Sequence, residues 1–568
     1  MAQFDEEFDF VVVGSGGGSM CAALVMRQVG KSVLILEKTD LVGGTTAKSG
    51  GVMWIPNNPF MEQEGIEDSP EKALEYLEAT AGQSQDAPGT SRERRAAYVT
   101  QARRMVDFLI AQGIKLTRAP YWPDYYDERP GGSAAGRTVL AEPFNLNELG
   151  RWKRKLRPNF IPVVAAPEEM GAVMSARTRR RFGIAIAKLL LRIGKERLTG
   201  RNIVGNGAAL QGRMLQAALK AKVDIRTKSP VKDLVVENGA VKGVVVDKHG
   251  REYRIGARLG VLVNAGGFAQ NQAMRDKYAP GTSVKYTAAA PGDTGEMIET
   301  MIRLGAAFGQ MSERVGLQAS LVPGNENLDG NGIDLKKISG QGSVSAPHAI
   351  IVDQTGVRYM NEAGSYMAFC RNQLIRNHTV PAVPSWWIFD QWHFDRYPLF
   401  GIAGMGARPK RWFSSGLVKK ADTIEGLAAL INVDPATLRA TIDRFNLGAR
   451  EGRDPDFHRG ERAYDNWLGD PTQEGSKTLG PIDTAPFYAV PMYPGDVGTY
   501  GGVVTDVNAR VLREDGTPIP GLYATGTSTA SVMGTAYPGA GSSVGPSFVW
   551  GYVAAKHAAD ADNLLVAA

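Results

Sequence analysis

The sequence predicts an α/β fold in which a doubly wound parallel sheet is completed by segments from both ends of the chain. Near the N-terminus, the short apolar run at residues 8–13 is typical of a buried strand. A glycine-rich turn follows at once, and a helix and a second strand at residues 32–36 complete a βαβ unit. Near the C-terminus, residues 516–555 form a long uncharged stretch rich in glycine. The two ends are therefore predicted to build one ligand site.

Composition places the chain among globular proteins of two or three domains. Of its 568 residues, 43% are hydrophobic and 22% are charged. The 67 glycines follow no fixed period, which excludes a collagen-like helix and favours close approach of the backbone to a ligand. The two cysteines cannot form a disulfide framework, and the six histidines lack the spacing of metal ligands. We therefore predict no metal site and a reducing, cytoplasmic setting.

The turn after the first strand has the pattern of a phosphate-binding loop. Gly14-x-Gly16-x-x-Ser19 departs from the dinucleotide fingerprint at its third glycine, where a small serine still permits close packing of helix on strand. Glu37 ends the second strand, where an acidic residue binds ribose hydroxyls. The contacts predicted for this unit are Gly14, Ser15, Gly16, Gly17, Gly18, Ser19, Glu37 and Lys38.

A second glycine-rich segment, residues 43–51, follows directly and is predicted to wrap the pyrophosphate and the ring system of the bound nucleotide. The segment contains no His or Cys, so a covalent bond to the nucleotide is not expected here. Its candidate contacts are Gly43, Gly44, Thr45, Thr46, Ser49, Gly50 and Gly51. Later strands and glycine-rich turns add the candidates Val231, Ala265, Gly266, Gly267, Gly526, Ser542 and Val544.

Changes of composition along the chain predict a discontinuous nucleotide-binding domain and a separate substrate-capping domain. Residues 1–280 carry the βαβ unit and form the first part of the nucleotide-binding domain. Residues 281–485 are richer in Trp and Tyr and are predicted to form an irregular α+β capping domain. Residues 486–568 return to the glycine-rich pattern and complete the first domain.

Positive charge is concentrated in residues 151–201, an insertion in the first domain. This segment holds 14 Lys and Arg against three Glu, whereas the whole chain has a net charge of only +6. Between residues 177 and 201, Ile and Leu are interspersed with Arg and Lys, which favours a helix lying on an anionic membrane surface. A solvated basic helix is the alternative, and nucleic-acid binding is disfavoured. The acidic N-terminus lacks a secretory start, so we predict a cytoplasmic protein, peripheral on the inner face of the cell membrane.

Six segments together resemble the bacterial 3-ketosteroid Δ1-dehydrogenases, within the wider group of fumarate reductase and succinate dehydrogenase flavoproteins. They are GSGGGS, EKTDLVGGTTAKSGG, VLVNAGGFAQN, GVRYMNEAGSYMAF, GLYATG and YPGAGSSVGPSFVWGY. The resemblance covers nearly the whole chain, and its tyrosine-bearing segments narrow it to this family. It implies a Rossmann-like FAD-binding domain, non-covalent FAD, and removal of two hydrogens from C1 and C2 of a 3-keto-4-ene steroid.

The resemblance also implies roles for individual residues. Tyr366 matches the family's base for the proton at C2. A second tyrosine assists it, and Tyr125 is favoured over Tyr126 because it directly follows the Asp of a family-like Asp-Tyr pair. Tyr537 and the backbone N–H of Gly541 match the pair that grips the C3 carbonyl. A hydride then passes from C1 to flavin N5, and an external electron acceptor, with a quinone as one candidate, reoxidises the flavin.

Three rival functions remain open at this point. A 3-ketosteroid Δ4-(5α)-dehydrogenase would use the same cofactor on a neighbouring pair of carbons. A fumarate-reductase-like enzyme would need Arg and His around a charged substrate, whereas residues 537–541 are uncharged. A peripheral-membrane flavoprotein that carries electrons would explain the basic segment but not the paired tyrosines.

Overall fold

The computed structural model describes residues 3–84, 87–159, 179–248, 250–322, 341–402, 404 and 407–566. Two sheets dominate the described part of the chain. An eight-stranded sheet is built by both ends of the chain, and a five-stranded sheet is built by its middle. The α/β fold class predicted from the sequence, a parallel nucleotide-binding sheet with an added α+β region, is confirmed.

The bounds of the strands and helices follow in chain order. The strands are β1 Glu6–Val13, β2 Val33–Leu36, β3 Val52–Trp54, β4 Leu116–Arg118, β5 Thr138–Ala141, β6 Phe144–Asn145, β7 Ile203–Val204, β8 Asp224–Arg226, β9 Val231–Glu237, β10 Ala240–Lys248, β11 Arg251–Val263, β12 Phe308–Gly309, β13 Arg314–Ala319, β14 Ala349–Val352, β15 Ser385–Phe389, β16 Lys419–Ala421, β17 Phe487–Thr499, β18 Gly502–Val503, β19 Arg510–Leu512 and β20 Pro518–Ala524. The α-helices are α1 Gly17–Gln28, α2 Gly44–Lys48, α3 Pro59–Gln63, α4 Pro70–Thr80, α5 Arg92–Ala111, α6 Arg179–Leu198, α7 Asn206–Lys220, α8 Gln272–Tyr278, α9 Glu296–Arg303, α10 Gln341–Val344, α11 Tyr366–Asn377, α12 Gln391–Arg396, α13 Arg411–Ser414, α14 Ile424–Ile431, α15 Pro435–Arg450, α16 Ala463–Trp467 and α17 Val544–Val566. Short 3-10 helices span Ala81–Ser84, Leu146–Arg154, Val284–Tyr286 and Gly526–Ser528.

The eight-stranded sheet is parallel at its centre. β1 lies between β2 and β11, β8 follows β2, and β20 follows β11, all in parallel. The last five residues of β1 are buried, as expected of a strand with neighbours on both edges. This strand order places the C-terminal strand β20 two positions from the N-terminal strand β1. The two ends of the chain therefore lie close together in one sheet, separated by β11.

Helix α1 packs against α17 at positions where no side chain fits. A Cβ added at Gly17 would lie 1.9 Å from the ring of Phe548, and one added at Gly18 would lie 2.1 Å from the carbonyl oxygen of Ser547. The helices therefore approach each other nearly backbone to backbone. This contact fixes the start of the βαβ unit against the helix that directly follows residues 537–541.

The five-stranded sheet forms the core of the substrate-capping region. Its order is β13-β17-β15-β14, with β16 beside β17, and all pairs are antiparallel. Helices α14 and α15 cover a face of this sheet with buried Ile, Leu and Phe side chains. Because β17 belongs to this sheet, the sheet continues past residue 485, where the sequence suggested a boundary. We therefore propose that the capping domain ends near residue 499. We keep the other domain boundaries as they were predicted from the sequence.

The basic segment of residues 151–201 does not form a single surface. Its first part is built into the fold, because Leu156 forms a β-bridge with Val42 and Arg157 is only 4% exposed. Residues 160–178 lie outside the described residues. Among the described residues of this segment, α6 is the part that presents apolar side chains to solvent.

The exposed side of α6 carries a regular apolar stripe. Ile184, Leu191 and Leu198 recur every seven residues and are 48%, 73% and 90% exposed. Seven residues are close to two helical turns, so these side chains share one face. Lys188 and Lys195 each lie four residues after the first two of them, on the same side of the helix. In the described ranges, no helix is long and apolar enough to cross a bilayer.

The close approach of α1 and α17 predicts the effect of a single methyl group. We expect Gly18→Ala to lower the midpoint of thermal unfolding by about 1–3 °C, because the backbone of α17 must move away. Gly194→Ala in α6 is the matched control, since an added Cβ there has no atom within 4 Å. The control should unfold at or slightly above the wild-type temperature. Equal midpoints for Gly18→Ala and the wild type would show that the contact is not tight.

Candidate active site

A cleft lies at the carboxyl ends of β1, β2 and β11, where open α/β sheets bind their ligands. It contains about 1430 Å³ of space not filled by protein atoms. Residues from both ends of the chain face this one cleft. The predicted nucleotide contacts that line it are Gly14, Ser15, Gly16, Glu37, Lys38, Gly44, Thr45, Thr46, Ser49, Val231, Ala265, Gly266, Gly526 and Val544.

Glu37 connects the two glycine-rich turns at the end of β2. Its Oε2 accepts a hydrogen bond from Ser15 Oγ, and its Oε1 accepts two bonds of 2.8 Å from the backbone N–H and the hydroxyl of Thr39. Ser15 Oγ in turn accepts a bond of 3.0 Å from Gly43 N. A carboxylate offers about four acceptor positions, so Glu37 keeps about one for a hydroxyl of a ribose.

Other predicted contacts lie behind the wall of the cleft. A Cβ added at Gly51 would lie 2.3 Å from the backbone of Asn206, and one added at Gly267 would lie 1.8 Å from Thr499 Oγ1. We therefore propose that these residues shape the wall, and that Gly17 and Gly18 contact the nucleotide only through the N–H groups at the start of α1. The residues behind the wall are Gly17, Gly18, Ser19, Gly43, Gly50, Gly51, Gly267 and Ser542.

Several residues of the cleft were not found from the sequence. Asp293 is buried in the wall, its Oδ2 accepts a bond of 3.0 Å from Thr45 Oγ1, and burial raises the pKa of its carboxyl to about 7. Arg157 Nη2 donates to Thr39 Oγ1 at 2.9 Å. Asn264 also lines the cleft and donates to Ser19 Oγ at 2.9 Å. Arg157 lies within a basic segment, and Asn264 belongs to the VLVNAGGFAQN segment but was not singled out there. Asp293 lies in a loop without a strong motif.

The cleft fits an anionic dinucleotide such as FAD. Helix α1 begins at its wall, and the N-cap Gly16 leaves the first N–H groups of the helix without a side-chain cap. Such a helix N-terminus binds phosphate. Arg157 also lines the cleft, so a cation borders the same space. Among the described residues that line the cleft, none is His or Cys, which suits a non-covalent cofactor.

A cluster of tyrosines adjoins the cleft. The ring centroids of Tyr125 and Tyr366 are 5.6 Å apart, those of Tyr125 and Tyr537 are 5.8 Å apart, and those of Tyr366 and Tyr537 are 5.5 Å apart. Tyr366 begins α11, which Ser365 caps, and Tyr537 opens the YPGAG loop, residues 537–541. The structure thus brings three tyrosines from distant parts of the chain to one point.

Tyr125 and Tyr126 occupy different surroundings. Tyr125 is 1% exposed, and its ring also lies 4.4 Å from the ring of Tyr464. Tyr126 is half-buried, and the guanidinium of Arg129 lies 4.7 Å from the centre of its ring. Of the two, Tyr125 has its ring against Tyr366. The geometry therefore favours Tyr125 as the partner of Tyr366.

Two further buried tyrosines extend the cluster and were not found from the sequence. Tyr464 lies in α16, whose Ala463 and Tyr464 N–H groups each donate at 3.0 Å to the carboxylate of Asp127. Tyr500 lies with its ring 5.9 Å from that of Tyr537. Because Asp127 is two residues after Tyr125, its bonds hold α16 against the loop that carries Tyr125. No motif in the sequence marked these two tyrosines among the 18 of the chain.

Burial dominates the acid–base properties of the cluster. Burial raises the pKa of Tyr366 and of Tyr125 well above the ordinary value of 10.0. A hydrogen bond from Tyr125 opposes this rise in the pKa of Tyr366, and the same bond raises the pKa of Tyr125 further. The interaction between the two phenols therefore favours the anion of Tyr366 over the anion of Tyr125.

The YPGAG loop is held from several sides. The carbonyl oxygen of Pro538 accepts bonds from Tyr125 N at 2.8 Å and from the hydroxyl of Tyr76 at 2.6 Å. The hydroxyl of Thr138 donates to Ala540 O at 3.2 Å. The bond from Tyr125 N fixes the position of the loop relative to the tyrosine that faces Tyr366.

Gly541 requires the absence of a side chain. Its φ of +96° lies in the left-handed region, and an added Cβ would lie 2.4 Å from the carbonyl oxygen of Val52. The backbone of the loop is therefore pressed against β3. A backbone N–H fixed in this way is a preorganised hydrogen-bond donor.

A buried ion-pair network lies beneath the loop. Arg137 is fully buried and donates to Asp124 at 2.8 Å and to both oxygens of Asp68 at 2.6 and 2.9 Å. The second oxygen of Asp124 accepts a bond of 2.7 Å from Trp54 Nε1. Burial raises the pKa of Asp124 to about 6, so its carboxyl is ionised at neutral pH. Since Asp124 directly precedes Tyr125, the network anchors the backbone of that tyrosine.

Removal of the Asp124 charge tests this anchor. We expect Asp124→Asn to lower the free energy of unfolding by about 2–3 kcal/mol, because Arg137 keeps Asp68 but loses one buried partner. Asp276→Asn, at an exposed position on α8, should change it by less than about 0.5 kcal/mol. Chemical denaturation monitored by circular dichroism gives both values. An Asp124→Asn protein as stable as the control would mean that the network contributes nothing.

Comparison with known proteins identifies the family, and the resemblance seen in the sequence is confirmed. Residues 9–544 match the family model described as FAD binding domain. The 3-oxosteroid 1-dehydrogenase of Mycobacterium tuberculosis is 38% identical over 572 residues, which cover 98% of this chain and 99% of that enzyme. The 4-oxocyclohexanecarboxylate 2-dehydrogenase of Sinomonas cyclohexanicum is 33% identical and covers 97% of this chain and 92% of that enzyme. The crystal structure of the 3-ketosteroid Δ1-dehydrogenase from Sterolibacterium denitrificans in complex with 1,4-androstadiene-3,17-dione is 34% identical, with a TM-score of 0.88 over 98% of this chain and 100% of that chain. The chain therefore belongs to the FAD-dependent family of 3-oxosteroid 1-dehydrogenases.

Proposed function

We propose that this protein is an FAD-dependent 3-oxosteroid 1-dehydrogenase, which removes the hydrogens at C1 and C2 of a 3-keto-4-ene steroid. The observation that carries the proposal is the meeting of Tyr125, Tyr366 and Tyr537 beside a nucleotide cleft. The reaction needs a base, a donor for the developing oxyanion, a hydride acceptor and a pocket that excludes water. The buried phenols and the cleft are suited to these four needs.

Tyr537 and the N–H of Gly541 are proposed to hold the C3 carbonyl. Both lie in the YPGAG loop, whose backbone is fixed by the contacts of Pro538 and Ala540. Two fixed donors favour the state in which negative charge develops on the carbonyl oxygen, because they need not reorganise during the reaction. They also make the C2 protons more acidic by drawing electrons from the conjugated ketone.

Tyr366 is proposed to take the proton from C2, with Tyr125 as the partner that stabilises its anion. The raised pKa of Tyr366 makes its anion scarce at neutral pH, and the bond from Tyr125 acts against that rise. A strong base in a water-excluding site is what a weakly acidic C–H requires. Tyr125 thus assists Tyr366 without touching C2.

Bound FAD supplies the acceptor for the hydride that leaves C1. The uncapped N-terminus of α1 and Arg157 are proposed to hold its diphosphate, and Glu37 the ribose hydroxyls. The other cleft residues that were predicted from the sequence complete the proposed site. An external electron acceptor, with a quinone as one candidate, is proposed to reoxidise the cofactor.

A ring ketone with a carboxylate is a second candidate substrate, because a 33% identical relative is named for 4-oxocyclohexanecarboxylate. Such a substrate would need an unpaired cation beside the tyrosines. Arg462 is close to Tyr125 but pairs with Asp465 at 2.6 Å. Arg129 stacks on Tyr126. These pairings favour a neutral ketone.

The decisive test is reduction of the bound flavin by substrate without oxygen. We expect androst-4-ene-3,17-dione or cholest-4-en-3-one to bleach the visible absorption of the flavin and to yield a 1,4-diene. The matched control is 4-oxocyclohexanecarboxylate, which should bleach it at least about tenfold more slowly, a difference of about 1.4 kcal/mol in barrier. Bleaching only by 5α-steroids would assign the Δ4-(5α) reaction, and bleaching only by the carboxylate would assign the second candidate.

The pH profile separates Tyr125 from Tyr126. For the wild type, kcat/KM should rise with pH through the alkaline range, because Tyr366 acts as a base only when deprotonated. Tyr125→Phe removes the bond that lowers the pKa of Tyr366, so the rise should move to higher pH and kcat should fall about tenfold or more. Tyr126→Phe should leave the profile in place. A shift with Tyr126→Phe alone would transfer the role to Tyr126.

Helix α6 is proposed to rest on an anionic membrane surface, which would place the enzyme where a sterol substrate is dissolved. The apolar stripe of Ile184, Leu191 and Leu198, with Lys188 and Lys195 on the same side, has the form of an interfacial helix. The apolar side chains would enter the boundary between headgroups and acyl chains, and the lysines would pair with lipid phosphates.

Sedimentation with vesicles tests this docking. We expect the protein to sediment with phosphatidylglycerol vesicles, less so at high salt, and not with phosphatidylcholine vesicles. The double variant Leu191→Gln, Leu198→Gln should lose most of this binding. Leu447→Gln changes an exposed leucine on α15 and is the control, expected to bind as the wild type does. Equal binding by both variants would exclude the stripe as the lipid contact.

A further inference from the structure

Ser543 lies where the nucleotide cleft and the tyrosine cluster meet. Its side chain lines the cleft and also a small cavity bounded by Tyr500 and Trp550. Its Oγ is 3.2 Å from the hydroxyl oxygen of Tyr537, and either atom can be the donor in this pair. The family resemblance gave Ser543 no role, and it was not among the residues singled out from the sequence.

The neighbouring residues Ser542 and Ser543 form different hydrogen bonds. Ser542 closes the turn, because its Oγ accepts from Gly539 N at 3.0 Å and donates to Gly539 O at 2.7 Å. Its carbonyl oxygen accepts a bond of 3.1 Å from the hydroxyl of Tyr500. Ser543 stands just before α17, a position where serine often caps a helix, yet its hydroxyl is directed at Tyr537.

The direction of the bond between Ser543 and Tyr537 is set by what Tyr537 must do. To hold a carbonyl oxygen, the hydroxyl of Tyr537 must donate its hydrogen bond to the substrate. Its oxygen then acts only as an acceptor toward Ser543. Burial raises the pKa of Tyr537, and the hydrogen bond with Ser543 acts against that rise. A bond donated by Ser543 therefore makes Tyr537 a stronger donor.

We propose that Ser543 is a positioning residue for the reaction, which donates to Tyr537 so that Tyr537 donates to the ring carbonyl. This inference deepens the proposed function and rests on it. As negative charge develops on the carbonyl oxygen, the two bonds in series polarise each other, so the gain is larger in the transition state than in the bound ketone. No proton leaves Ser543 and no covalent bond changes.

Three variants separate this role from a structural one. Ser543→Ala should lower the rate constant of flavin reduction at saturating androst-4-ene-3,17-dione by about five- to tenfold, with little change in KM. Ser543→Thr keeps the hydroxyl and should restore most of the rate. Ser385→Ala removes another buried serine hydroxyl, on β15, and should leave the rate unchanged. FAD content and the unfolding midpoint show whether each protein is intact.

A second readout uses a steroid with a phenolic A ring, whose oxygen mimics the enolate. Its affinity, followed by the change in flavin absorption, should fall about five- to tenfold with Ser543→Ala and recover with Ser543→Thr. The effect of Ser543→Ala on both readouts should disappear in a Tyr537→Phe background, because Ser543 acts through that hydroxyl.

The outcomes distinguish this proposal from the proposed function. If the wild-type flavin is not reduced by any 3-ketosteroid, the proposed function fails and the role of Ser543 falls with it. If the wild type reacts and Ser543→Ala reacts equally fast, only the role of Ser543 is overturned. An equal loss in the Tyr537 and Tyr537→Phe backgrounds would also overturn it.

Discussion

The approach of α1 to α17 is the constraint on which the active site depends. The two helices belong to opposite ends of the chain, and glycines at their contact leave no room for a side chain. Helix α1 carries the phosphate-binding turn, and α17 directly follows the YPGAG loop. A shift between these helices would therefore separate the nucleotide cleft from the residues that are proposed to hold the substrate carbonyl. The strands β20, β11 and β1 are neighbours in the sheet, and this order also holds the two ends of the chain together.

The site combines uncharged chemistry at its centre with paired charges around it. Tyrosines form the centre, where burial raises their pKa values and so favours the neutral phenols. Charged residues lie around these tyrosines and form ion-pair networks that fix the backbone. Arg137 with its two aspartates holds the Tyr125 loop, and Glu362 accepts bonds of 2.8 and 2.9 Å from Arg358 and Arg459 just before Tyr366. A neutral, apolar ketone fits such a centre better than an anion does.

The fold could be predicted well from the sequence because its signals are local. Apolar strands, glycine turns and Glu37 occur in one continuous stretch, and the parallel sheet follows from them. The proposed role of Tyr366 came from a motif, whereas the choice between Tyr125 and Tyr126 needed the side-chain directions of a loop. Tyr464 and Asp293 could not have been found, because each acquires its place only through tertiary contacts. The burial of Arg157 within the basic segment could not be predicted for a similar reason, since it does not show in a count of charges.

A crystal structure of the FAD-bound protein with a 3-keto-1,4-diene steroid tests the central claim most directly, namely that the tyrosine cluster is the site of the A ring. The account predicts the C3 oxygen within ~3.2 Å of both the Tyr537 hydroxyl and the Gly541 nitrogen. It also places C2 next to the Tyr366 hydroxyl. A steroid bound with its A ring away from the cluster, or with its C3 oxygen on other donors, would contradict the account.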